Sequence, residues 1–141
     1  MPFSSDERTF VASADVGRLA TVDESGTPHI VPVCLVFVGD AIVSAIDTKP
    51  KAVGPEKLQR VRNVEANPAV SLLVDRYSDD WDELAWVRVD GHARIESPNA
   101  ARHGAACSRL QKKYPQYEQH PLAERPLLVI EPRHVSSWGS L

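Results

Sequence analysis

Hydrophobic and polar residues alternate most regularly over 84–96, LAWVRVDGHARIE. Ala85, Val87, Val89, Gly91, Ala93 and Ile95 share one face, and Trp86, Arg88, Asp90, His92, Arg94 and Glu96 share the other. A period of two over that length predicts a long strand with one buried face. Shorter patterns predict strands at 18–23, 41–47 and 69–75. Residues 28–38, PHIVPVCLVFV, are almost continuously apolar from Ile30 onward, which predicts one strand covered on both faces. Pro32 inside it has no N–H for a ladder, so it belongs at an edge, at a bulge or beside a ligand. Residues 126–131 predict a sixth strand and 133–138 a short last one.

Turns and caps complete the outline. Residues 24–27 and Gly39-Asp40 read as tight turns. Ser4 or Ser5 caps a first helix with Asp6 and Glu7 in its first turn, and Gly17 ends it. A short helix carries Lys57, Arg60 and Arg62 until Asn67-Pro68 stops it. Ser97-Pro98 reads as cap and first position of a helix over 99–113. The sum is a mainly β chain with short helices (α+β). Six or seven antiparallel strands in a barrel or closed sheet form a single domain over 1–141, long enough to bury a core.

Charge changes the picture at one place. The chain's formal net charge is −3, yet residues 49–63 hold Lys49, Lys51, Lys57, Arg60 and Arg62 against Glu56 alone. That segment is +4, so the other 126 residues carry −7. A cationic loop leading from a strand into a helix is a usual place for a phosphate. The plainer reading is a solvated helix face. Against it, Leu58, Val61 and Val64 form an apolar stripe that Arg60 and Arg62 flank. A pI near 5.9 and a basic segment without aromatics argue against a nucleic-acid binder.

Other chemistry is sparse. Cys34 and Cys107 suggest neither a disulfide framework nor zinc spacing, and Cys34 reads as a small core residue. His29, His92, His103, His120 and His134 show no metal-ligand spacing, so no metal is expected. There is no GxSxG, P-loop or GxGxxG pattern. Without a signal-peptide pattern or a membrane-length apolar run, a cytoplasmic protein is expected. Trp86 and Arg88, on the polar face of their strand, either contact a ligand or partner or pack under a helix. Trp81, in an acidic loop, suits a dimer interface, where aromatics are enriched.

Several segments together carry a family resemblance over nearly the whole chain. They are Gly17-Arg18-Leu19-Ala20-Thr21-Val22, Gly26-Thr27-Pro28, Val31-Pro32-Val33, and Arg60-Val61-Arg62-Asn63 with Asn67-Pro68 and VSLLVD. Asp80-Trp81 and Trp86-Val87-Arg88-Val89-Asp90-Gly91 complete the set. In this order they resemble the flavin-reductase-like split β-barrel family, of the pyridoxamine-phosphate-oxidase-like fold. Within it the chain is most similar to the actinobacterial enzymes that use the deazaflavin coenzyme F420. The resemblance implies a six- to seven-stranded antiparallel split β-barrel of the flavin-reductase/FMN-binding type. It also implies a homodimer with two cofactor sites at the interface. Lys49, Lys51, Lys57, Arg60, Arg62 and Asn63 become phosphate or tail contacts, with Lys51 and Arg60 the first choices. The segment KPKAVGPEK is longer than the loop of many relatives, which leaves open which lysine meets the phosphate. Val31, Pro32, Val33, Ser44 and Ala45 become the lining of the ring, and Trp86 and Arg88 join the cofactor contacts.

The implied activity is hydride transfer from reduced coenzyme F420 to a small unsaturated or conjugated organic substrate. No acid or base is forced by that chemistry, so no catalytic residue is assigned. The alternatives are an FMN enzyme of the pyridoxamine-phosphate-oxidase type, or a non-enzymatic protein that holds a flavin or a tetrapyrrole. The oxidases' motif for the substrate phosphate is not evident. Neither nucleic acid nor membrane is an expected partner.

Overall fold

In the computed structural model, which describes residues 2–46 and 58–141, every strand runs antiparallel to its neighbours. The strands are β1 (Gly17–Val22), β2 (Pro28–Val33), β3 (Val36–Val38), β4 (Ala41–Ala45), β5 (Ala69–Arg76), β6 (Ala85–Glu96) and β7 (Leu127–Gly139). They form one seven-stranded sheet in the order β2-β1-β5-β6-β7-β4-β3. Helices α1 (Ser5–Ser13), α2 (Gln59–Ala66) and α3 (His103–Lys113) complete it, with short 3-10 turns at Trp81–Glu83 and Pro115–Glu118. This is the mainly β, split-barrel architecture that the alternation and the resemblance predict. No helix among the described residues is long and apolar enough to cross a membrane.

The apolar run at 28–38 is not one strand. It breaks at Cys34-Leu35, and its halves become the two edges of the sheet. The break is stable because its backbone is satisfied from α3. The Leu35 N–H donates to the Tyr114 hydroxyl at 3.0 Å, and Lys113 Nζ donates to the Leu35 carbonyl at 2.8 Å. Nor is the run covered on both faces, since Ile30 on β2 is 65% exposed. Pro32 does lie on an edge strand, opposite Arg18 of β1. The β3–β4 hairpin turns at Gly39-Asp40, and Gly39, at φ 61°, supplies the left-handed conformation such a turn needs.

Three more boundaries differ. The predicted sixth and last strands are one, β7, because Pro132 lies opposite Gly91 at a register shift where no proline N–H is required. Gly91 belongs there for a steric reason: any Cβ would run into the Glu131 carbonyl. Ser97 caps a turn through the Asn99 N–H rather than a helix, and α3 starts only at His103. Helix α1 ends at Ser13, while Gly17 opens β1. Its start follows the sequence: Ser4 and Glu7 form a reciprocal capping box, and Ser137 of β7 donates to Glu7 at 2.6 Å.

Two cores result. Inside the barrel, Leu19, Leu35, Ile42, Ile46, Leu72, Val74, Val87 and Val89 pack with Val11 of α1 and with Val61 and Val64 of α2. Outside it, α3 packs Ala106, Cys107 and Leu110 on Val36, Val43 and Val129. Each such buried aliphatic side chain contributes about 1.5–3 kcal/mol. Helix α3 also seals the β3 edge: Arg109 donates to the Phe37 carbonyl at 2.7 Å.

Candidate functional site

The parity of the strands places the first site. Residues one position out of phase with the core point away from the barrel, and on β1, β5, β6 and β7 they outline a groove of about 500 Å³. Trp86 and Trp138 stand opposite each other on β6 and β7. Ile30, Leu73 and Tyr77 extend the apolar lining, and Arg18 and Arg88 supply charge. Trp138 is 54% and Tyr77 77% exposed. The charges are held loosely. Arg18 Nε lies 3.5 Å from Asp75, and Arg88 Nε donates to Asp90 at 3.2 Å. Asp90 also accepts from the Ser71 hydroxyl. Exposed pairs of this kind contribute about 0–1 kcal/mol, so a ligand anion or a partner chain displaces them at little cost.

The second region surrounds α2. The helix buries Val61 and Val64, with Leu58 partly buried beside them, so the apolar stripe read from the sequence is real. Arg60 is half-buried and Arg62 exposed. Among the described residues the start of α2 has neither a side-chain cap nor an acidic residue in its first turn, and the Val61 and Arg62 N–H groups bond the Leu58 carbonyl at 3.1 Å each. Asn63 is buried. Its amide accepts from Gln59 at 2.6 Å and donates to Thr21 of β1 at 2.9 Å, so it ties α2 to the barrel. Arg62 and Asn63 border a depression of about 380 Å³ that also contains Asp23 and Glu24. Hydrogen bonds from the Ser25 hydroxyl, then the Thr27 N–H, draw the Asp23 carboxyl down to about 2, so it is ionised. Two carboxylates against one guanidinium disfavour a polyanion on that flank.

The remaining predicted contacts are dispersed. Val33, Ser44 and Ala45 are buried and Val31 half-buried. Val31 and Val33 face the barrel core, whereas Pro32 between them faces outward at the exposed edge, so these three do not line one surface. Ser44 is 3% exposed, and its hydroxyl finds no hydrogen-bond partner among the described residues. Lys49, Lys51 and Lys57 lie outside the described residues. Among the described residues the single chain thus gathers Trp86 and Arg88 in the groove and Arg62 and Asn63 on α2, and does not unite the two sets. Sequence reasoning did not single out Ile30, Leu73 or Trp138. The signal available for Trp138 was an aromatic side chain within the predicted terminal strand 133–138.

Similarity to known proteins follows the same lines. The family model described as pyridoxamine 5'-phosphate oxidase matches residues 4–139. The 5a,11a-dehydrotetracycline/5a,11a-dehydrooxytetracycline reductase of Streptomyces rimosus is 29% identical over 140 residues, covering 99% of this chain and 84% of that protein. A solved F420 reductase superposes with a TM-score of 0.67 at 24% identity, over 95% of this chain and 98% of that one. A heme binding protein from Mycobacterium smegmatis superposes with a TM-score of 0.75 at 24% identity over 94% of this chain, which spans only 52% of that protein.

Proposed function

The chain belongs to the pyridoxamine 5'-phosphate oxidase family, and from that premise we propose that it is an oxidoreductase of the cytoplasm that binds coenzyme F420. In this reading a hydride passes from the reduced coenzyme to a conjugated organic acceptor. The observation that carries it is that the start of α2, which has no side-chain cap among the described residues, lies within the cationic segment 49–63. A polyanionic tail suits that arrangement. The reductase from Streptomyces rimosus supports the reaction class by similarity, since it is named for a dehydrotetracycline substrate.

The residues fit such a cofactor in two further respects. The buried Ser44 hydroxyl has no partner among the described residues and lies one residue before the end of β4. It is a group a bound ring can satisfy. The outer groove offers flat aromatic walls. When bound, the deazaflavin supplies the hydride from its own ring carbon. The chain's part is to bind and orient. Arg60, with Lys49, Lys51 and Lys57, holds the phosphate and tail. Ser44 fixes the ring edge, and Trp86 with Arg88 reaches the site and excludes water.

That division of labour requires a second copy. We infer a homodimer in which the outer sheet faces pack together, bringing Trp86 and Arg88 of one copy to the α2 region of the other. An apolar sheet face with Ile30, Tyr77 and Trp138 this exposed is a typical association surface. The test is a spectrophotometric assay of reduced coenzyme F420 oxidation with a panel of conjugated polycyclic acceptors, alongside sedimentation of the free protein. Acceptor-dependent oxidation by a dimer supports the proposal. A monomer contradicts the dimer, and binding without turnover for any acceptor contradicts the reductase and favours storage of a flavin or tetrapyrrole.

A further inference from the structure

A third depression is independent of the cofactor reading. It lies where α1 and α3 meet the edge strand β3, has a volume of about 330 Å³, and is lined by Arg8, Arg109, Lys112 and Lys113 over Val36 and Phe37. Among the described residues no acidic side chain lines it. On a chain with net charge −3, four converging cations need a reason.

Their existing partners are mostly neutral. Arg109 Nη1 donates to the Phe37 carbonyl at 2.7 Å. Lys113 Nζ donates to the Ala12 and Leu35 carbonyls at 3.0 and 2.8 Å. Burial pushes the Lys113 amine below its usual value, and Asp15 offsets this only in part. Arg8 lies 4.1 Å over the Phe37 ring and donates through Nη2 to the Gly39 carbonyl at 2.7 Å. Its Nη1 is 3.6 Å from Asp40 at the rim, yet it is buried without a hydrogen bond among the described residues. Lys112 is exposed. A carbonyl is a weaker partner for a cation than a carboxylate is, so these donors are under-satisfied.

We propose that this cleft binds a small amphipathic carboxylate, with its head group among Arg8, Arg109 and Lys112 and its hydrocarbon part on Val36 and Phe37. The apolar floor separates such a ligand from a bare inorganic anion. The volume is at the small end of ligand pockets. Titration calorimetry with octanoate below its micelle concentration tests this, with octanamide and inorganic phosphate as matched probes. Arg109→Gln and Lys112→Glu are the variants, each checked by circular dichroism. The expected result is saturable octanoate binding, weakened about tenfold or more in each variant through loss of a charge-assisted contact. Octanamide and phosphate are expected to bind far more weakly. Lys112→Glu, at an exposed position, keeps the test sound if Arg109→Gln disturbs β3. No octanoate binding, equal binding of octanamide or phosphate, or octanoate affinity unchanged in a folded Lys112→Glu variant would each overturn the assignment. Because coenzyme F420 is absent from the assay, its outcome is separate from that of the cofactor proposal.

Discussion

The central strands present two faces that differ in kind. Toward the barrel, Leu19, Leu72, Val74, Val87 and Val89 are buried almost completely. One residue along, Arg18, Leu73, Trp86 and Arg88 are half-buried or exposed, and Ile30 and Trp138 are more than half exposed. The edges differ in the same way. Beside β3, Arg109 and Lys113 of α3 and its cap residue Tyr114 bond the backbone of Leu35 and Phe37, whereas β2 carries Pro32 at its edge. The inner face and the β3 edge are completed by the chain itself. Among the described residues, the outer face and the β2 edge carry exposed apolar surface and weak ion pairs.

Leu72 and Leu73 are neighbours on β5 and test this directly. Leu72→Ala should cost about 2–5 kcal/mol of unfolding free energy in urea, because it empties a site in the barrel core. Leu73→Ala should leave the barrel folded and act instead on the monomer–dimer balance seen in sedimentation. Equal losses of stability would erase the distinction between the faces.

Arg60→Ala should weaken coenzyme F420 binding by about 1.5–3 kcal/mol, the loss of a charge-assisted contact. Unchanged affinity in a folded protein would remove Arg60 from the site.

Tyr114 tests the finished edge. Its hydroxyl accepts from Leu35 and donates to the Asp15 carbonyl at 3.0 Å. Tyr114→Phe should therefore cost about 1–3 kcal/mol, read as a lower urea midpoint. Burial pushes the phenol up to about 12 from an ordinary 10.0. The neutral form is thus favoured by folding. Its contribution is complete below pH 10 and is lost as pH rises toward 12. The Tyr114→Phe protein should lose less stability than the parent across that window.

The smallest effect on folding is expected at the outer surface. Trp138→Ser should change the barrel's stability little, within about 0.5 kcal/mol for a surface change, yet shift the sedimenting species toward monomer. A dimer that survives both Trp138→Ser and Ile30→Glu would place the interface elsewhere.

How much of this was legible in the sequence follows from what each pattern encodes. The alternation over 84–96 gave β6 and the face of every residue on it, because period two is a property of the strand itself. The Ser4 cap was legible for the same local reason. The break at Cys34-Leu35 was not, because its backbone partners are Lys113 and Tyr114, some 79 residues away. The continuity of β7 was hidden because Pro132 reads as a stop until Gly91 is seen opposite it. The placement of the candidate residues was partly legible. Charge located the cationic segment 49–63, and α2 begins within it. Trp86 and Arg88 were found by parity, but Ile30 looked like core because hydrophobicity does not say which side of a sheet lacks a neighbour.

Coenzyme F420, rather than FMN, is the cofactor proposed for the chain. Paired tryptophan-fluorescence titrations of the purified protein with each cofactor at low ionic strength test it most directly, since Trp86 and Trp138 both line the outer groove. Saturable quenching by coenzyme F420 and not by FMN is the expected result. Quenching by FMN alone, or by neither, would contradict it.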